Sequence, residues 1–91
     1  MATGRSEILT IVNKLGLHAR AAAKFVKLAS QFQSDVFLTK DGETANGKSI
    51  MGILILAAEK GSSITLHVEG VDEVEAFEAL KALINIGFEE K

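Results

Sequence analysis

The stretch from Ser63 to Glu69 alternates without exception: Ile64, Leu66 and Val68 are apolar, whereas Thr65, His67 and Glu69 are polar. Successive side chains of a strand point to opposite faces, so this pattern asks for a sheet with one face in a core and the other in water. Apolar helix faces must then cover the buried side. From Ala19 onward Ala22, Phe25, Val26, Ala29 and Phe32 recur at three- and four-residue spacing, while Lys24, Lys27, Ser30, Gln31 and Gln33 fill the opposite face. That is the pattern of an amphipathic helix. Another opens at Asp72, carries Val74, Phe77, Leu80, Leu83, Ile84 and Phe88 on its buried stripe, and ends its regular part at Gly87.

The rest of the chain fits between these elements. Glu7 to Val12 reads as a strand, as does Asp35 to Lys40. Asp41-Gly42 is a hairpin dipeptide, with Glu43 to Ala45 as the short returning strand. Ser49 is a good N-cap for a short helix over Ser49 to Ala58, ended by Lys60-Gly61. The order β-α-β-β-α-β-α implies an α+β fold. We expect an open-faced β-sandwich, a four-stranded antiparallel sheet covered on one face by three helices.

With 91 residues, 47% of them hydrophobic and 24% charged, the chain is expected to form one domain over residues 1–91 that folds alone as a monomer. The absence of cysteine removes disulfides, thiol nucleophiles and Cys-based zinc sites, and fits a reducing compartment, so the cytoplasm is the expected location. MATGRSE has no apolar leader segment, and the longest apolar run, Ile53 to Ala58, is far below the roughly 18 residues of a membrane span. A formal charge of −2 with neither Trp nor Tyr argues against a nucleic-acid reader. No nucleic acid, membrane, metal or cofactor is expected as a partner.

The chemistry concentrates in Leu15 to Ala23, LGLHARAAA. His18 falls where a glycine turn feeds the first helix, at an end where backbone N–H groups lack helical partners and the macrodipole favours anions. The same field disfavours imidazolium, which leaves a ring nitrogen free as a nucleophile. Arg20 brings a guanidinium within reach of a phosphate drawn to that turn. These residues describe a histidine that accepts and releases a phosphoryl group. The bland alternative, a mediocre cap, leaves the arginine and the glycine turn as coincidences.

A competing motif is Gly42 to Ser49, which matches the P-loop pattern G-x-x-x-x-G-K-[ST] and would imply a nucleotide-binding enzyme. A P-loop needs a parallel strand before it and a helix after it, and here the first glycine belongs to the Asp41-Gly42 turn. The other histidine, His67, lies on the polar strand face with no acidic residue spaced as a co-ligand, and reads as solvated.

Taken together, NKLGLHARAAA, NGKSIMGILILAA and the closing GFEE resemble the HPr family, the histidine-containing phosphocarriers of the bacterial phosphotransferase system. The resemblance spans essentially the whole chain. It implies that His18 is phosphorylated at Nδ1 by Enzyme I at the expense of phosphoenolpyruvate, that Arg20 assists, and that the group passes to a histidine of a sugar-specific IIA domain. Such a protein is a carrier and not an enzyme with turnover of its own. One departure is Ala21, where the family usually has proline; it adds a backbone N–H and removes a conformational restraint in the first helical turn.

The resemblance further implies that Ser49, in the segment Lys48 to Gly52, is a phosphorylation site for an HPr kinase, a role compatible with capping. In the second helix Ile53 and Leu56 are expected in the core, and Ile50, Met51 and Leu54 as an exposed apolar patch beside His18. Family members meet Enzyme I, IIA domains and the kinase with this face, helped by positions matching Ala23 and Lys27. A second reading is a regulatory relative, such as one of the nitrogen-related branch, that works through protein contacts.

Overall fold

The computed structural model describes residues 4–90; the first residues of the MATGRSE stretch, Met1 to Thr3, lie outside it. In chain order the elements are β1 (Arg5–Thr10), α1 (Ala19–Ala29), β2 (Asp35–Lys40), β3 (Glu43–Asn46), α2 (Ile50–Ile55), β4 (Ser63–Glu69) and α3 (Glu73–Asn85), followed by a 3₁₀ turn, Gly87–Glu89. The strands form one sheet in the order β1-β4-β2-β3, every pairing antiparallel. The expected open-faced α+β sandwich is what forms.

The alternation in β4 explains the layering. Ile64, Leu66 and Val68 are at most 1% exposed, and with Val36 and Leu38 of β2 they make the floor of the core. Phe25, Ile53, Phe77, Leu80 and Ile84 close it from the helices. At the rim, Arg5 lies 5.3 Å over the Phe77 ring and pairs with Glu78 at 3.3 Å, while Lys81 reaches Glu7 at 3.0 Å. Such exposed pairs are worth about 0–1 kcal/mol each and serve mainly to align β1 with α3. The β2–β3 hairpin turns through Asp41 (φ 50°) and Gly42 (φ 83°), both left-handed, as the Asp-Gly dipeptide requires.

Four details differ from the sequence expectation. The first strand pairs from Arg5 to Thr10 rather than Glu7 to Val12, with Ile8 on the open face and Val12 exposed. The second helix stops at Ile55 instead of Ala58, because Ala57 turns left-handed (φ 50°) and frees the Ala58 carbonyl to accept the N–H of Leu17 at 2.8 Å. Val74 is 53% exposed and Ala76 replaces it in the core, since the buried stripe of α3 runs through Ala76, Leu80 and Leu83, off to one side of Val74. Val26 and Phe32 are only partly buried.

Asp72 precedes α3 without capping it through its side chain. Its carboxylate instead accepts the N–H groups of Gln33 and Ser34, both at 2.9 Å, and the Ser34 hydroxyl. Gly70 makes this approach possible: a Cβ there would stand 2.7 Å from Ser34 Cα. The Ser34 hydroxyl is the main influence holding the Asp72 carboxyl below its ordinary 3.8, followed by the Gln33 N–H. A carboxylate with a depressed folded-state pKa contributes stability that is present above its unfolded pKa and is lost as pH falls through the folded one. We therefore expect Asp72→Ala to lower the urea midpoint at neutral pH and to flatten the loss of stability on acidification below about pH 4, measured by urea unfolding across pH. The gap between the two proteins should close at the acid end.

Candidate functional site

Past the end of β1 the chain runs on through Ile11, whose N–H donates to the Ser62 carbonyl at 2.9 Å and whose carbonyl accepts the Gly61 N–H at 2.7 Å. A turn follows, closed by the Gly16 N–H on the Asn13 carbonyl at 3.1 Å. Gly16 has φ +68°, and a Cβ on it would lie 2.4 Å from the Ala58 carbonyl oxygen. Only glycine fits there. Leu17, seated on Ala58, then delivers His18 to the mouth of α1.

His18 is the N-cap of α1, in extended conformation (φ −78°, ψ −179°), and its carbonyl accepts the Ala22 N–H at 2.8 Å. Its Nδ1 accepts the backbone N–H of Arg20 at 3.3 Å, so the lone pair of that nitrogen faces the helix N-terminus. The other nitrogen, Nε2, meets the Glu90 carboxylate. Glu90 is itself held by Asn13, whose Nδ2 donates to Glu90 Oε1 at 2.8 Å and to the Gly16 carbonyl at 2.7 Å. The Asn13 bond is the largest influence keeping the Glu90 carboxyl below 4.5; burial opposes it, and His18 and Lys24 add to the lowering. Arg20 is exposed and has no ion-pair partner among the described residues. Beside His18, Asn13, Lys14, Leu15, Arg20, Lys24 and Glu90 line an open cleft of about 770 Å³.

Glu90 arrives from an unusual piece of backbone. Gly87, Phe88 and Glu89 all have positive φ (68°, 57° and 65°), a conformation that costs a non-glycine residue about 1–3 kcal/mol. The fully buried Phe88 ring and the Lys24 ammonium, which donates to the Phe88 carbonyl at 3.0 Å, hold it in place.

Ala21 stands third in α1 and is fully buried. Its N–H belongs to the first turn, where no intrahelical acceptor exists, so a proline in its place would forfeit no helix bond. Ser49 caps α2, its Oγ accepting the Gly52 N–H at 3.0 Å. The P-loop pattern dissolves in three dimensions. Its residues 43–46 form antiparallel strand β3, and Gly47 donates to the Val36 carbonyl at 2.6 Å instead of cradling an anion.

On the expected contact face, Ala23 and Lys27 of α1 are exposed, and so are Ile50 and Met51 of α2, the latter at 71%. Leu54 is the exception: it is half-buried and packs against the core, because α2 lies against α1. Ile55 at 68% and Leu15 at 66% are exposed apolar residues that sequence reading did not single out. Neither were Asn13, Lys24 and Glu90, although Asn13 and Glu90 stand inside the quoted NKLGLHARAAA and GFEE stretches. His67 does have an acidic neighbour: Glu69, on the same strand face, approaches its Nε2 at 3.3 Å, while the ring lies 6.3 Å from that of Phe37. Among the described residues no group of three or more potential ligands gathers there or elsewhere.

Comparison with known proteins agrees with this geometry. The family model "PTS HPr component phosphorylation site" matches residues 5–85. The chain belongs to the HPr family. It is 57% identical to the phosphocarrier protein HPr of Neisseria meningitidis serogroup A over 77 residues, 85% of this chain and 86% of that protein. The crystal structure of HPr-C-His from Thermoanaerobacter tengcongensis superposes with a TM-score of 0.92 at 46% identity, covering 96% of this chain and 98% of the other. The Bacillus subtilis catabolite-repression protein Crh, solved as a swapped, intertwined dimer, superposes at 0.75 with 48% identity, covering 87% and 91%. HPr proteins are phosphocarriers of the phosphotransferase system, and these relatives are bacterial. No helix among the described residues is long and apolar enough to cross a membrane.

Because Gly16 has both a left-handed φ and a carbonyl in the way of any Cβ, Gly16→Ala should cost about 1–3 kcal/mol in denaturant unfolding. It should also broaden or shift the His18 ring resonances, since Leu17 loses its seat on Ala58.

Proposed function

We propose that this chain accepts a phosphoryl group from phospho-Enzyme I on His18 Nδ1 and passes it to IIA domains of sugar permeases. The observation that carries the proposal is the Nδ1 lone pair directed at the open N-terminus of α1. A phosphoryl group bonded there has its oxygens next to backbone N–H groups that lack helical acceptors, with the unpaired Arg20 guanidinium on the solvent side. Phosphoryl transfer requires little beyond positioning and charge stabilisation, and this turn offers both. The group is nonetheless easily passed on, because the N–H donors bind an anion without covalent commitment and the cleft is open. His18, Arg20, Asn13 and Glu90 meet within one chain, so the carrier role needs no second copy; the proposed location is the cytoplasm.

Docking falls to the face formed by Ala23 and Lys27 on α1 and Ile50, Met51 and Leu54 on α2. Exposed methionine and isoleucine beside a basic helix face suit several partners in turn, and Leu54 contributes only its outer edge. Ser49 lies at the start of α2 next to this face. A phosphate on its hydroxyl, added by an HPr kinase, sets about −1.5 to −2 charges among the docking residues and repels an acidic partner. The similarity to Crh keeps a regulatory role through protein contacts as the second reading; His18 with Arg20 favours the carrier.

The test is incubation with phosphoenolpyruvate and Enzyme I, followed by intact mass measurement. One acid-labile phosphoryl group is expected, absent from His18→Ala, and full labelling of that variant would refute the assignment. Arg20→Ala should slow labelling by roughly tenfold or more with unchanged unfolding, since removal of one charge-stabilising donor of this kind costs about 10²–10³ in the best-studied sites. Met51→Asp should raise the Enzyme I concentration needed for half-maximal labelling without loss of thermal stability, as expected for a 71% exposed side chain.

A further inference from the structure

The geometry points to Glu90 as a positioning residue for His18: its carboxylate, set against Nε2, keeps the ring proton on that nitrogen and reserves the Nδ1 lone pair for phosphorus. This rests on the carrier reading of His18 and adds to it the group that decides which nitrogen reacts. A neutral imidazole has one donor nitrogen and one acceptor, and its neighbours choose between the tautomers. Here the choice is dictated twice. Nδ1 faces a donor, the Arg20 N–H, and Nε2 faces an acceptor, the Glu90 carboxylate.

The carboxylate is built into place. Asn13, only 6% exposed, divides its Nδ2 hydrogens between Glu90 Oε1 and the Gly16 carbonyl, so the loop that presents His18 and the side chain that orients it share one anchor. The left-handed run through Phe88 and Glu89 turns Glu90 back onto α1, fastened by the buried Phe88 ring and by Lys24. The contact is sheltered, with His18 and Glu90 side chains 28% and 14% exposed. The Asn13 bond and the neighbouring His18 and Lys24 also favour the ionised form of Glu90, the form that only accepts.

In the transfer step the Nδ1 lone pair forms the new N–P bond as the N–P bond of the donor phosphohistidine breaks and its electron pair returns to the donor ring. The proton stays on Nε2 throughout. The ring carrying the phosphoryl group is then a cation, and Glu90 faces that charge, so the carboxylate both aligns the nucleophile and stabilises its phosphorylated form. The carboxylate that orients the histidine of a serine-protease triad has the same relation to its ring.

The test combines nitrogen NMR of the ¹⁵N-labelled imidazole in alkaline buffer with the rate of Enzyme I-driven labelling. The unmodified chain should show the Nε2–H tautomer alone. Glu90→Ala should admit an Nδ1–H population and slow labelling at saturating Enzyme I roughly tenfold, the scale on which loss of a histidine's orienting partner is felt. Glu90→Gln retains one carbonyl acceptor for Nε2–H but has no charge and sets its amide NH2 against the Asn13 donor, and should restore both the tautomer and the rate in part. A Glu90→Ala variant that keeps the pure Nε2–H tautomer, or that labels at the unmodified rate, overturns the assignment. The tautomer measurement needs no phosphoryl donor, so failure of the unmodified chain to label would strike the carrier reading, and an unchanged tautomer would strike the role of Glu90.

Discussion

The approach of Gly16 to the Ala58 carbonyl is the contact on which the His18 end of the molecule depends. The loop after β1 has to lie flat against the segment after α2, and the bond from Leu17 to Ala58 fixes it there. A side chain at position 16 would collide with backbone, which cannot move aside as a flexible side chain can. One consequence is that α1 starts where it does, with His18 outside its first turn. At the same junction α2 ends at Ile55 and Ala57 turns left-handed, just before the carbonyl that Leu17 uses. The position of His18 and the length of the neighbouring helix α2 therefore meet at one junction.

The local charge at this junction runs against the overall balance. The chain as a whole carries −2, yet Lys14, Arg20 and Lys24 line the cleft at this end of the molecule, together with Glu89 and Glu90. The Glu90 carboxylate lies toward Nε2 and the N-terminus of α1 toward Nδ1, so under the proposed carrier role an incoming phosphoryl group approaches from the side away from that anion. This division lets a single imidazole be oriented by an anion and still receive one. It is maintained at the expense of backbone strain in Phe88 and Glu89, which the burial of the Phe88 ring offsets.

Much of this was legible in the sequence because it is local. The alternation over Ser63 to Glu69 forces the open-faced sheet, Asp41-Gly42 forces the hairpin, and a histidine or serine just before an apolar helix reads as its cap. Spacing alone did not separate Val74 from Ala76, since the stripe of a helix is defined by what it packs on and a small alanine lets α3 approach closely. Nor could it find the end of α2: Ala57 is a good helix former by propensity yet is left-handed here, next to the Ala58 carbonyl that accepts the Leu17 N–H, a tertiary contact that spacing does not show. Leu54 shifted from patch to partial core for a similar reason, the packing of α2 on α1. The Asn13–Glu90–His18 chain was invisible because it joins residues 72 to 77 positions apart, and its only local trace is a glycine and a phenylalanine ahead of two acidic residues.

The central claim is that His18 carries its phosphoryl group on Nδ1, above the first turn of α1. The most direct test is NMR of the phosphorylated protein labelled with ¹⁵N, reading one-bond coupling between phosphorus and each ring nitrogen together with the amide shifts. The account predicts coupling to Nδ1, with the largest amide changes at Arg20, whose N–H must exchange Nδ1 for a phosphoryl oxygen, and at Ala21 in the same turn. Coupling to Nε2, or a phosphorylated ring that leaves those amides unmoved, would contradict it.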